Sequence, residues 1–159
     1  MKLDPVFYVK DNKLFKIQDN SLVDISSLKM IEIPWSTVEL SEENYNEEYL
    51  AELREELKKL DERKDFAILV PIVDKKIESA EDFELFTKAF NHTARRIKDC
   101  VSVAGYKLPD ELIKKGFSEA SPASNFMDTI SIKHAQYVNF ASKIDGVDFS
   151  NTEEKLVIL

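Results

Sequence analysis

The chain has 159 residues and a formal net charge of -8, with hydrophobic residues at 43% and aromatic residues at 10%. That size and composition suit one folded domain with its own core. The acidic balance excludes a general nucleic-acid binder, which needs basic surface against phosphates, and disfavours anionic membranes.

Residue counts exclude further classes. Only Gly105, Gly116 and Gly146 occur, scattered along the chain, so neither a glycine-rich phosphate loop nor a dinucleotide fingerprint is present. Cys100 is the single cysteine; no intramolecular disulfide forms, and a buried small hydrophobe is expected there. His92 and His134 stand far apart with no Cys or His beside them, so no zinc site of common type, no other metal and no cofactor is expected. No Ser-His-Asp or Cys-His order is evident. The start "MKLDPVFYVKDNK" has no apolar signal core, which leaves the cytoplasm as the default expectation. No apolar run is long enough to span a bilayer.

In chain order, "PVFYVKDNKLFKIQDNSLVDIS" alternates apolar and polar residues around two turn signals, which predicts a hairpin or meander over 1–27. "KMIEIPW" reads as a short strand interrupted by Pro34. "TVELSEENYNEEYLAELREELKKLDERK" predicts a long helix capped near Ser41, with Tyr49, Leu50, Leu53, Leu57 and Leu60 as its buried stripe. "FAILVPIVD" is a nearly continuous apolar run, as suits a strand buried on both faces. A helix capped by Ser79 follows, with Phe83, Phe86, Phe90, Ala94 and Ile97 on one face. "CVSVAGYKL" is the next strand, and "DELIKKG" a short helix stopped by Gly116. "SPASNFMDTISIKHAQYVNFASKI" predicts a third main helix whose stripe includes Phe126, Ile130, Tyr137 or Val138, and Ala141. "KLVIL" is a final strand.

The expected fold is therefore α/β: an N-terminal hairpin, then βαβαβαβ over 28–159 with a mostly parallel sheet and right-handed crossovers, in a single domain. Chemistry in such folds gathers beyond the carboxyl ends of the strands. Those ends carry Trp35-Ser36, Asp74-Lys75-Lys76, and Lys107 to Glu111. An aromatic platform beside carboxylates and lysines suits a sugar, whose ring face stacks on indole while its hydroxyls take hydrogen bonds. Each residue also has a purely structural reading: Trp35 as packing, Asp74 as a loop cap, Asp110 and Glu111 as the first helical turn after Pro109.

The stretches "IEIPWSTVELSEENYNEEYLAELREELKKLDERKDFAILVPIVD" and "FTKAFNHTARRIKDCVSVAGYKLPDEL" together resemble glycoside hydrolases of the family 5, cellulase-like kind, over residues 31 to 112. The first is similar to that family's strand ending in Arg-Ile-Pro, its "Tyr-Asn-Glu-Glu-Tyr-Leu" helix and its next strand. The second is similar to the strand "Val-Xaa-Gly-Tyr-Glu-Leu-Met-Asn-Glu-Pro". The resemblance implies part of a TIM barrel. It places Glu111 at the acid/base catalyst and Asp110 at the Asn that supports the nucleophile. Departures accompany it: Glu32 stands where the family has Arg, no His ends the strand at 66–74, and Leu112 replaces Pro. A full barrel takes about 250 residues, so a chain of this length is expected to lack the late strand with the nucleophile. A retaining glycosidase needs two carboxyls about 5 Å apart, which adjacent Asp110 and Glu111 do not supply.

The expectation is thus a non-catalytic, truncated glycosidase-like domain that binds a saccharide, with Trp35, Asp74, Tyr106 and Asp110 as ligand contacts and Glu111 as the one catalytic candidate. Two alternatives stand beside it. One is a small open α/β protein-interaction module. The other is a half-barrel glycosidase active only as an oligomer, assembled through the last strand, whose edge is otherwise open.

Overall fold

The computed structural model describes residues 3–152 and 155–159. Met1 and Lys2, at the head of the expected N-terminal segment, lie outside the described residues. A hairpin opens the chain: β1 (Phe7–Lys10) pairs antiparallel with β2 (Lys13–Lys16) across Asp11 and Asn12, both at positive φ. Short Asx side chains tolerate that left-handed region.

β3 (Lys29–Pro34) runs into a single helical turn, α1 (Trp35–Val38), and then a small hairpin of β4 (Glu39–Ser41) and β5 (Asn44–Tyr45). Only after this does α2 begin, at Glu47–Arg63. The expected start near Ser41 is corrected: Ser41 pairs with Asn44 across a turn in which Glu43 has φ 55°, and Asn46 is the cap, accepting from the Tyr49 N–H. Glu42 and Glu43 ahead of the helix read as a helical first turn by charge alone; they form the turn of the hairpin instead.

β6 (Ala67–Ile72), α3 (Ala80–Arg96), β7 (Val103–Lys107) and the short α4 (Asp110–Ile113) follow as expected. The Asp82 carboxylate accepts from the N–H groups of Glu78 and Ser79 and so fixes the entry to α3. α5 (Pro122–Lys133) is capped by Ser121 and has Pro122 at its first position. The third main helix does not continue through Tyr137 and Ala141. His134 closes it, its N–H donating to Ile130, and Val138–Ala141 is a strand, β8. A short apolar run is ambiguous between helix and strand by pattern; here pairing to β7 decides it. β9 (Leu156–Ile158) ends the chain.

The main sheet has the order β3-β6-β7-β8-β9, parallel throughout. Strands adjacent in sequence are adjacent in space, so the sheet winds in one direction, as in part of a TIM barrel. One face is the large core, where Ile31, Ile33, Leu69 and Tyr106 meet Leu53 and Leu57 of α2, Phe86 and Phe90 of α3 and Phe126 of α5. The other, inner face carries a smaller cluster. There Phe7, Val9 and Leu14 of the hairpin, with Leu28, cover Ile68, Ala104, Val138, Phe140 and Val157. The hairpin lies across β6 to β9 and leaves Met30 of β3 46% exposed.

The register places Glu32, Val70, Lys107, Phe140 and Val157 in one row across the inner face. One row nearer the strand starts, Gly105 sits beside Val138 so closely that an added Cβ would lie 1.7 Å from the Val138 carbonyl oxygen. Only glycine permits that backbone approach. No helix of the described residues is long and apolar enough to cross a membrane.

Candidate functional site

The carboxyl ends of β3, β6 and β7 meet at one rim. Pro34 and Ile72 pair at the ends of the first two strands. Just beyond, Asp74 binds the turn after β3 with both oxygens: Oδ1 accepts from the Ser36 N–H at 2.9 Å and Oδ2 from the Ser36 hydroxyl. The aspartate is exposed but fully engaged, tying two strand ends together.

Close by lies a residue that was not among the expected site residues. Glu39 is 2% exposed. Its Oε1 accepts from the Trp35 indole Nε1–H at 2.9 Å and from Lys75 Nζ at 3.1 Å, and its Oε2 accepts from the Glu43 N–H. Lys75 also donates to the Glu39 carbonyl and stands 4.9 Å from the centre of the Trp35 ring. A buried carboxylate needs a cation and hydrogen bonds to offset its lost hydration, and Glu39 has both. The four-residue spacing of Trp35 and Glu39 across one helical turn is the signal that points to the pair.

Trp35 itself is 2% exposed, with its ring edge-to-face against Phe86 at 5.3 Å. Its ring face is enclosed and offers no stacking platform. Tyr106 is likewise buried at 1% exposure; its hydroxyl donates to the Phe90 carbonyl, and burial holds its ionisation well above the ordinary range. Alternation along β7 turns Tyr106 toward the helices, away from the inner face. Of the expected ligand contacts, Asp74 and Asp110 remain at the surface.

Glu111 is exposed in the first turn of α4. It lines a groove of about 1250 Å³ between α3 and α5, beside Lys75, Lys88 and Asp128. Val73, Ile77 and Phe83 form the groove's apolar part, and Asn125 and Thr129 supply amide and hydroxyl groups. Asp74, Asp110, Trp35 and Tyr106 do not line it. The fold thus brings Glu111 to a groove on the helix side and ties Asp74 to Ser36 on the strand side. Among the described residues, no three His, Cys, Asp or Glu side chains converge as metal ligands do. Cys100 is buried, and its thiol is pushed up to about 11 by that burial, which favours the neutral thiol over the thiolate.

No protein-family model matches the chain, and no curated protein matches it. Solved structures do. The Pseudomonas stutzeri endoglucanase Cel5A superposes with a TM-score of 0.58 at 18% identity, over 73% of this chain and 39% of that one. The endo-glycoceramidase II of Rhodococcus sp. superposes with a TM-score of 0.55 at 14% identity in its lactosyl-enzyme intermediate, over 82% of this chain and 48% of that one. In its complex with a cellobiose-like imidazole the same enzyme gives a TM-score of 0.53 at 16% identity, over 72% and 40%. The chain spans two-fifths to one-half of the length of these glycoside hydrolases, and its fold is that of a part of their family 5, cellulase-like barrel.

Proposed function

We propose that this chain is a non-catalytic domain on a glycosidase-type scaffold and that it binds a saccharide in the groove between α3 and α5. The groove carries this reading. An apolar strip of Val73, Ile77 and Phe83 is bordered by Asn125, Asp128, Thr129, Lys88 and Glu111, which matches the apolar ring faces and hydroxyl edges of a sugar. The non-catalytic part is supported by what the rim carboxylates do. Asp74 is bound to Ser36, and Glu39 to Trp35 and Lys75, so neither is free to serve as a second carboxyl for Glu111.

The test is an NMR titration with cellobiose and lactose beside an assay on β-linked aryl glycosides. Shifts confined to the groove, weakened about tenfold by Asn125→Ala and Glu111→Gln, with no hydrolysis, support the reading. Absence of any shift at millimolar sugar refutes the binding. Hydrolysis that Glu111→Gln removes refutes the non-catalytic assignment and leaves Glu111 as an acid/base. The second reading, a protein-interaction module, is favoured by Ile132, which is 72% exposed at the groove's border.

A further inference from the structure

The connection from β8 to β9 holds a dipeptide that occurs nowhere else in the chain. Of the three glycines, only Gly146 follows an Asp or Asn, namely Asp145. The Val147 N–H donates to the Ile144 carbonyl at 3.3 Å, so Asp145 and Gly146 are the two corner residues of a β-turn. Gly146 has φ 82°, as the second corner of a type II turn requires, and nothing lies within 4 Å of where a Cβ would stand. Both residues are exposed. Among the described residues, the Gly146 N–H donates to no acceptor and the Asp145 carboxylate joins no hydrogen bond or ion pair.

These two unengaged groups can react with each other. The Gly146 amide nitrogen attacks Asp145 Cγ, a C–N bond forms, and the amide proton leaves with a carboxyl oxygen as water. The product is a cyclic imide. Water reopens it at either carbonyl. Opening at Cγ restores aspartate; opening at the main-chain carbon leaves the chain running through Cβ and Cγ, as isoaspartate. The water lost is regained, so mass and oxidation state are unchanged and no oxidant or enzyme is required. A side chain on the following residue hinders the attack, and glycine presents none. Two Asn residues precede small hydroxyl residues, but there the attacking N–H is held: Ser21 donates to Asp19 at 3.0 Å, and Thr152 to the Phe149 carbonyl at 3.0 Å. We propose that Asp145 is a site of spontaneous covalent modification, isomerising to isoaspartate in the folded chain, and that the lengthened backbone loosens the connection to β9. The second part follows from packing. Ile144 on one side of the turn and Val147 and Phe149 on the other are anchored on the larger core, and Phe149 rests on Phe117 at 5.2 Å. An extra methylene in the main chain between such anchors displaces one of them, and the strand next in line is β9, with only three residues.

This inference is independent of saccharide binding. Its test is to hold the full, folded chain at neutral pH and body temperature for several weeks. Trypsin then releases the peptide 144–155, between Lys143 and Lys155. Electron-transfer fragmentation tells isoaspartate from aspartate at both Asp145 and Asp148 within it. Isoaspartate is expected to accumulate at Asp145 and not at Asp148, whose next residue is Phe149. Asp145→Glu, which would have to close a larger ring, should lose the product. Asp145→Asn should gain it faster, with ammonia leaving in place of water. Hydrogen exchange of the Leu156–Ile158 amides should be faster in the aged chain than in the fresh one, and ageing should leave it unchanged in Asp145→Glu. An unmodified Asp145 after that time overturns the proposal. So does isoaspartate that forms only when the chain is aged in urea, which would show that the folded turn prevents the attack, or equal accumulation at Asp148. Isoaspartate at Asp145 with unchanged exchange in β9 overturns the loosening.

Discussion

The Trp35 indole donates to a carboxylate that is itself almost wholly buried, and the same carboxylate holds Lys75 against the indole ring. Removing the ring therefore does two things: it empties space beside Phe86 and it strips a donor from Glu39. Trp35→Ala is expected to cost about 3–5 kcal/mol of stability. Trp35→Phe, which keeps most of the packing, should cost about 1–3 kcal/mol for the lost hydrogen bond. Urea denaturation followed by far-UV circular dichroism checks both; an unchanged midpoint for Trp35→Ala would show that the indole is not the keystone of this corner. Asp99 gives a second prediction at this scale. Arg54 holds its carboxyl down at about 2 from an ordinary 3.8, with Lys58 adding to the effect. A depressed folded-state value means that the stabilisation is present above pH 3.8 and is lost as the pH falls toward 2. Arg54→Ala should raise the Asp99 titration midpoint toward 3.8 and flatten the acid limb of the stability curve between those values. An NMR titration of the Asp99 carboxyl reads this directly. Both partners are partly solvated, so the effect on neutral-pH stability is expected to be small.

Between elements, short polar contacts do what sheet pairing leaves undone. The β4–β5 hairpin is clamped to α3: the Tyr45 ring stacks on His92 at 4.2 Å, Glu43 faces Lys88, and Glu47 at the start of α2 binds His92 and Arg96. At the far edge of the sheet, Asn12 of the first hairpin stands in for a neighbouring strand, donating to and accepting from Ile158. An exposed edge is a hazard for unwanted pairing, and this one side chain covers the outward N–H and C=O of Ile158 in the last strand. Asn12→Ala should speed hydrogen exchange of the Ile158 amide about tenfold or more while leaving the β8 amides protected. Equal exchange in the variant would show that β9 is held by β8 alone.

Across the whole molecule, two cores of unequal size sandwich one sheet. The larger, under the helices, was legible: the stripes Leu50-Leu53-Leu57-Leu60 and Phe86-Phe90-Ala94-Ile97 are the buried faces of α2 and α3. So was the alternation of strands and helices, and with it the parallel sheet. The smaller core was not, because it joins the hairpin to strands that follow it by about 50 to 150 residues, and no local pattern states that distance. The likeness to part of a glycosidase barrel rests on the same sequential strand order, and it is a likeness of fold.

The sequence by itself determined the opening hairpin, the buried faces of α2 and α3 and the strand–helix alternation from β6 to α4, because periodicity and turn chemistry are local properties. Tertiary structure decided the rest. Val138–Ala141 became a strand because β7 and β9 offered ladders on both sides. Trp35 became a core residue because Phe86 and Glu39 enclose it. Glu32 and Lys107 came to share a row because register, set by pairing through β6, aligns residues that local preference leaves unrelated. Glu111 lines the helix-side groove while its neighbour Asp110 and the more distant Asp74 do not, because successive residues of the α4 turn point in different directions.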